Sequence, residues 1–263
     1  MNIDQIAADY ERDGYVSAVP ILTEAEAAQH RAQLEAHEAA QGQIHYKAKL
    51  HTVITSPYEL ATHPKVLDIV EAMIGPDILL YDSPFIIKEP HTDAHVSWHQ
   101  DLTFWGLSDD AQVTLWLALS PATAESGCMR MVPGSHKEGM VHHDTGEDAD
   151  NVLLQSQTVQ GIDETRAVMC PLKPGEASFH HGWTLHASMP NRSDDRRIGL
   201  NVQYVAPHVR QTKHDLDSAM LVRGEDRYGH FRADIAAATD FDPAAIERWH
   251  EMDRLHVETQ GTM

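Results

Sequence analysis

The first 75 residues carry apolar positions at helical spacing. Ile3, Ile6, Ala7 and Tyr10 recur three to four residues apart and stop at Gly14, which predicts a short amphipathic helix. Thr23-Glu24-Ala25-Glu26 is a capping-box pattern, so a second helix, rich in Ala and Glu, should open there and end near Gly42. A third should begin at His63-Pro64, with Val66, Leu67, Val70 and Met73 on one face and Gly75 as its stop.

From about residue 77 the period shortens. DILLYDSPFIIKEP, AQVTLWLALSPA, GCMRMVPGSH, RAVMCPLKPGEASFHHG and RIGLNVQYVAP are β-rich runs separated by Pro, Gly and Asp. Short strands spaced this way predict a sandwich or barrel. The stretch 137–165 is acidic, weakly periodic and long for a simple connection, so it is expected to form a lid or substrate loop. DPAAIERWHEMDRLH reads as a C-terminal helix with Pro243 in its first turn.

Composition narrows the class. A chain of 263 residues with 42% apolar content is ample for one large buried core. No apolar run approaches the roughly 18 residues of a membrane helix. MNIDQIAADYERDG carries acids where a signal peptide carries bases, so a cytoplasmic location is expected. A net charge of −20 argues against nucleic acid and against an anionic membrane face, since both select basic surfaces. Cys128 and Cys170 sit in apolar surroundings and read as buried free thiols. Two cysteines build neither a disulfide framework nor a Cys-rich zinc site.

His99-Gln100-Asp101 sets an imidazole and a carboxylate two residues apart. On an extended strand both project to one face and can reach one ion. With a second histidine from elsewhere in the fold, such a set leaves open positions on octahedral iron(II) for a cosubstrate and oxygen. The pair alone is weak, because 19 histidines and 40 acids in this chain give about three His-x-acid pairs by chance. His91-Thr92-Asp93 and His136-Lys137-Glu138 are two others, both in turn-like sequence. His99 differs in lying within VSWHQDLTFWG, among Trp98, Phe104 and Trp105, where partial burial is expected.

The chain resembles the phytanoyl-CoA dioxygenase family of iron(II)- and 2-oxoglutarate-dependent oxygenases. WHQD at 98–101, ESGCMRMVPGSHKEG at 125–139 and HASMPNRSDDRRIGLNVQYV at 186–205 carry the resemblance, with DGYV at 13–16 as an N-terminal extension of it. The resemblance implies a double-stranded β-helix, or jelly roll, with flanking helices. It makes His99, Asp101 and His186 the iron ligands and hence the catalytic set. Arg197, eleven residues after His186, falls where the family pairs an arginine with the distal carboxylate of 2-oxoglutarate. A planar guanidinium suits that task because it grips a carboxylate with two parallel hydrogen bonds. Ser188 looks like the hydroxyl assisting the same carboxylate. Trp116 looks like a wall of that pocket or a core residue. Asn191 and Ser193 fit the turn that follows the third ligand. His180 and His181 compete with His186, but neither is followed by a suitably spaced arginine. Halogenating relatives lack the carboxylate, so Asp101 favours hydroxylation. The implied cofactors are Fe(II), 2-oxoglutarate and O2, with succinate and CO2 as coproducts.

The expected organisation is one oxygenase domain over 1–263: a helical part at 1–76, a jelly-roll core at 77–210 and a C-terminal extension with a helix at 211–263. The substrate is expected to be a small molecule, polar or anionic. IHYKAKLH places His45, Lys47, Lys49 and His51 at alternate positions, and an extended segment would present all four on one face. That ladder reads either as a binder of an anionic head group or as a solvated edge strand. Lys88 and Arg210 are further substrate candidates. His208, Lys213, His214, Arg223 and Arg227 complete a second basic cluster of mostly surface character. Two other readings are a cupin-like metal enzyme that does not use 2-oxoglutarate and a non-catalytic ligand-binding barrel. Arg197 separates the first from the oxygenase, since such an enzyme has no need of it.

Overall fold

The computed structural model describes residues 2–260. Helix α1 (Ile3–Asp13) is capped by the Asn2 side chain and stopped by Gly14, whose φ of 80° an L side chain rarely adopts. Strand β1 (Tyr15–Pro20) follows, a strand inside the stretch read as helical. Helix α2 (Glu24–Gln41) opens with the expected capping box between Thr23 and Glu26. Helices α3 (Thr55–Ala61) and α4 (Pro64–Ile74) complete the N-terminal set.

The strands then come in quick succession: β2 (Ile78–Asp82), β3 (Phe85–Lys88) and β4 (Val96–His99). After the one-turn helix α5 (Leu102–Trp105) come β5 (Gln112–Ala118), β6 (Met129–Met131), β7 (Val168–Cys170), β8 (Glu176–His180), β9 (His186–Ser188) and β10 (Arg197–Val205). The chain ends with β11 (Ser218–Arg223), β12 (Arg232–Ala233) and α6 (Pro243–Gln260). Among the described residues no helix is long and apolar enough to cross a membrane.

Two sheets form. The larger runs β1-β8-β5-β10-β2-β11-β12, with β3 also paired to β10. The smaller runs β4-β9-β6-β7. The architecture is a double-stranded β-helix with helices packed outside the larger sheet. The larger sheet extends beyond residue 210, because β11 pairs antiparallel with β2.

Period-2 alternation gives the larger sheet two unlike faces. Val113, Leu115 and Leu117 of β5, Phe179 of β8, and Ile198, Leu200, Val202 and Tyr204 of β10 pack in one cluster with Ile6, Leu34, Leu60, Val66 and Val70 from the helices. Each such aliphatic side chain removed from water contributes about 1.5–3 kcal/mol. The alternate residues face inward, toward the smaller sheet. Cys128 and Cys170 are buried and free. The 139–167 segment has only short 3-10 turns and isolated bridges, His95 to Asn151 and Asp144 to Thr158. Its Val159 packs against Trp98, Leu185 and Ala187.

Candidate active site

His99 ends β4 and stands opposite His186 in the β4–β9 ladder, with ring centroids 4.0 Å apart. Asp101 does not share their extended backbone. Its φ and ψ of −56° and −48° are helical, so the turn into α5, rather than strand alternation, carries the carboxylate beside His99. The Nε2 atoms of His99 and His186 lie 3.5 and 3.7 Å from Asp101 Oδ1. Three donor atoms of this set fall within 4.8 Å of one another.

Hydrogen bonds orient every member. His99 Nδ1 donates to the Ser97 carbonyl and His186 Nδ1 to the Thr184 carbonyl, each at 2.9 Å. A carbonyl only accepts, so Nδ1 carries a proton in each ring and Nε2 is the nitrogen turned toward Asp101. Thr114 Oγ1 and His180 Nε2 bind Asp101 Oδ2 at 2.8 and 3.1 Å, leaving Oδ1 for the same centre. Burial alone raises the Asp101 carboxyl, but the His186, His180 and His99 imidazoles outweigh it and hold the group well below the usual carboxylate range. Burial, reinforced by His99 and His180, pushes His186 well below the usual imidazole range. Two imidazole nitrogens and one carboxylate oxygen converge on one point. This donor set suits iron(II).

His180 therefore joins the site as the partner of Asp101 and is not one of the three converging donors. His181 turns away, with Nε2 3.8 Å from Asp110, and burial pushes it down to about 4. His91 is exposed beside Asp194. His136 meets the Glu11 carbonyl.

The second part of the site lies on β10. Arg197 is 1% exposed, and its guanidinium sits 4.4 Å over the Trp116 ring. Gly199 makes room for that ring, because a Cβ there would lie 2.0 Å from Trp116. Arg197 Nε and Nη1 have no hydrogen-bond partner. Burial pulls its pKa down to about 10. A buried cation without an acid is costly, so the pocket is built for an anion, and a carboxylate matches the fork. Lys88 faces Arg197 across the β3–β10 ladder. Its Nζ donates to Ser188 Oγ and to the Met189 carbonyl, both at 2.6 Å. Burial, then the Arg197 charge, lowers Lys88 to about 6. Lys88 thus stands behind Ser188, not in the cavity wall where a substrate contact was expected. Arg196 faces the other way, onto Glu38 and Glu89. Asn191 braces the following turn by donating to the Lys88 and Asp195 carbonyls.

Both parts open into one cavity of about 970 Å³, counting its open mouth. Phe104, Trp105, Val152 and Leu153 give it apolar walls. The 139–167 segment also contributes Gln157, and α6 contributes His256 and Val257.

The cationic ladder is overturned. Tyr46 and Lys49 adopt left-handed backbone, with φ of 60° and 55°, and this breaks the alternation. His45 accepts from the Ile87 amide. Lys47 is half exposed and pairs with Asp253 on α6. Lys49 is sealed in the core, donating to the Tyr81 and Ser218 carbonyls. His51 bonds Ser83. Tyr46 and Ala48, the residues between, line the cavity instead. Arg210 is exposed and away from the cavity wall, with its backbone amide on Ser108. His208 lies beside Asp109, Arg223 pairs with Asp68 and Glu71, and Arg227 pairs with Glu225. Lys213 bonds the Phe104 carbonyl and His214 bonds Thr259.

The sequence reading missed Tyr46, Asp82, Asn201, Gln203 and His256 as lining residues. Asn201 and Gln203 share the parity of Arg197 along β10, so alternation was the signal that could have found them.

The sequence profile of the phytanoyl-CoA dioxygenase (PhyH) family matches residues 10–199. A probable alpha-ketoglutarate-dependent hypophosphite dioxygenase of Stutzerimonas stutzeri is 33% identical over 150 residues, 56% of this chain and 52% of that protein. Human peroxisomal phytanoyl-CoA dioxygenase is 26% identical over 154 residues, 57% of this chain and 46% of that protein. The chain spans about half the length of these curated relatives. Among solved structures, the non-heme monooxygenase ThoJ is similar over 97% of this chain and 98% of its own, with 31% identity and a TM-score of 0.85. CytC3 with Fe(II) and alpha-ketoglutarate covers 90% of this chain and 94% of its own, with 25% identity and a TM-score of 0.67. The chain belongs to the phytanoyl-CoA dioxygenase family of iron(II)- and 2-oxoglutarate-dependent oxygenases.

Proposed function

We propose that this chain is a 2-oxoglutarate-dependent dioxygenase that hydroxylates a small molecule, with His99, Asp101 and His186 holding iron(II). The observation that carries the reading is Arg197, a buried guanidinium with two unpartnered nitrogens opening into the same cavity as the three metal donors. Its distance from any acid is explained by a carboxylate brought in with the cosubstrate. A metal enzyme that does not use 2-oxoglutarate leaves Arg197 unexplained.

With iron(II) and 2-oxoglutarate bound, the pair supplies dioxygen activation and oxidative decarboxylation to succinate and CO2, the oxidising power for hydroxylating a C–H bond. The protein supplies the rest. Ser97 and Thr184 fix the imidazole tautomers. Thr114 and His180 aim Asp101. Trp116 supports Arg197 from one side, while Lys88 sets Ser188. Phe104 and Trp105 keep water from the reacting centre. Asp101 keeps a carboxylate where halogenating relatives have none, which favours hydroxylation. The test is turnover: iron(II), 2-oxoglutarate and oxygen should together give succinate, with H186A inactive. Succinate formation that survives H186A, or that ignores iron, contradicts the reading.

A further inference from the structure

Asp82, Gln203, Thr114 and His180 are register partners across β2, β10, β5 and β8, one transverse row on the inner face of the larger sheet. Thr114 and His180 hold Asp101. Asp82 and Gln203, at the other end of the row, line the cavity. Gln203 lies six residues along β10 from Arg197, roughly 20 Å at about 3.3 Å per residue, so this is not the cosubstrate end.

Unsatisfied polar groups gather here. Asn201 Oδ1 and Gln203 Oε1 are buried without partners. Asp82 is 1% exposed. Its Oδ1 takes the Lys49 and Ser83 amides at 2.5 and 2.7 Å, and its Oδ2 lies 3.2 Å from His256 Nε2 on α6. Of about four acceptor positions on a carboxylate, one is left.

The surroundings strengthen the field. Asp217 and Asp234 stand behind Asp82, sharing the single Lys49 ammonium at 3.9 and 3.7 Å, with His51 3.5 Å from Asp234. Three carboxylates thus face one ammonium and two imidazoles, and the group is net negative unless both imidazoles are protonated. Among the described lining residues there is no lysine, and Arg197 is the one arginine. An anionic head group meets no fixed positive charge among the described lining residues at this end.

We propose that Asp82, with Asn201 and Gln203, sets substrate specificity, and that the substrate is an apolar-bodied molecule bearing a cationic nitrogen, an ammonium or a protonated ring nitrogen. This rests on the oxygenase reading for what happens at the other end of the molecule. Asp82 and Thr114 are two strand spacings apart, roughly 10 Å, so the reacting carbon lies several bonds from the nitrogen.

The probes are benzylamine, benzyl alcohol and benzoate, three molecules of one size and three charges. They are titrated by calorimetry into protein loaded with zinc(II) and 2-oxoglutarate, so that Asp101 and Arg197 are already engaged. Benzylamine should bind about tenfold tighter than either companion, the value of one charge-assisted hydrogen bond. D82N keeps the Oδ1 acceptor for the two amides and should erase that preference. Equal or absent binding of the amine, or a preference that survives D82N, overturns the inference. Should D82N not fold, the wild-type ranking decides by itself, and Q203L gives a second arm with a smaller loss. If zinc(II) and 2-oxoglutarate fail to bind together, it is the oxygenase reading that fails. The same ranking on metal-free protein, wild type against D82N, then decides this inference separately.

Discussion

The two faces of β10 are equally buried and chemically opposite. Ile198, Leu200, Val202 and Tyr204 meet the helices, and the one polar atom on that side, the Tyr204 hydroxyl, donates to the Ala61 carbonyl. Arg197, Asn201 and Gln203 meet the cavity with unpartnered polar atoms. One face lowers the free energy of folding. The other leaves polar groups unsatisfied in the folded chain, a cost that only a bound molecule offsets. Burial alone therefore does not tell a structural position from a functional one; the state of its polar atoms does.

This contrast breaks first at Arg197. R197L should raise the 2-oxoglutarate concentration for half-saturation by about 100-fold or more, as expected for removing a buried charge pair. Thermal unfolding of the ligand-free protein should show no loss of stability, because a costly unpaired cation is gone. The opposite outcome belongs to the other face. L200A should cost about 3 kcal/mol in chemical denaturation, with 2-oxoglutarate affinity of the folded fraction little changed. T114V is intermediate: it removes one hydrogen bond from Asp101 and should weaken metal binding, followed by metal-competition titration, by about 10- to 100-fold.

The smallest effect is a proton. Lys88 titrates at about 6 in the ligand-free protein, below the ordinary lysine value. Between pH 6 and the ordinary value the unfolded chain binds the proton and the folded chain does not, so ligand-free stability rises with pH across that window. A dianion beside Arg197 pulls Lys88 back up. Binding of 2-oxoglutarate at pH 8 should therefore take up a proton, seen as a calorimetric heat that changes with the buffer. The uptake should vanish at pH 5, where Lys88 is already charged, and in K88M.

Much of this was legible in the sequence. RIGLNVQYV announces both faces of β10 by simple alternation. The capping box of α2 and the proline start of α4 are local signals, and both helices form where those signals stand. His99, Asp101 and His186 are brought together as the motif implied, yet the carboxylate arrives by a helical turn. What failed was non-local. IHYKAKLH reads as an alternating strand, but with left-handed residues at Tyr46 and Lys49 it is Tyr46 and Ala48 that line the cavity. Those conformations are held from afar, by Asp82 on the Lys49 amide and by Asp253 on the Ala48 amide. Asp82 hides in ILLYD, an apolar run that reads as core. Its place in the site depends on Gln203, 121 positions later in the chain, and on His256 from α6. No local pattern carries that pairing.

One cavity gathers the groups that a metal and a dicarboxylate need together. An anaerobic titration of the iron(II)-loaded protein with 2-oxoglutarate, followed in the visible, tests it most directly. A charge-transfer band is expected that requires both components, is absent in H186A, and needs far more 2-oxoglutarate in R197L. A band that never forms, or one that saturates at the same concentration with and without Arg197, contradicts it.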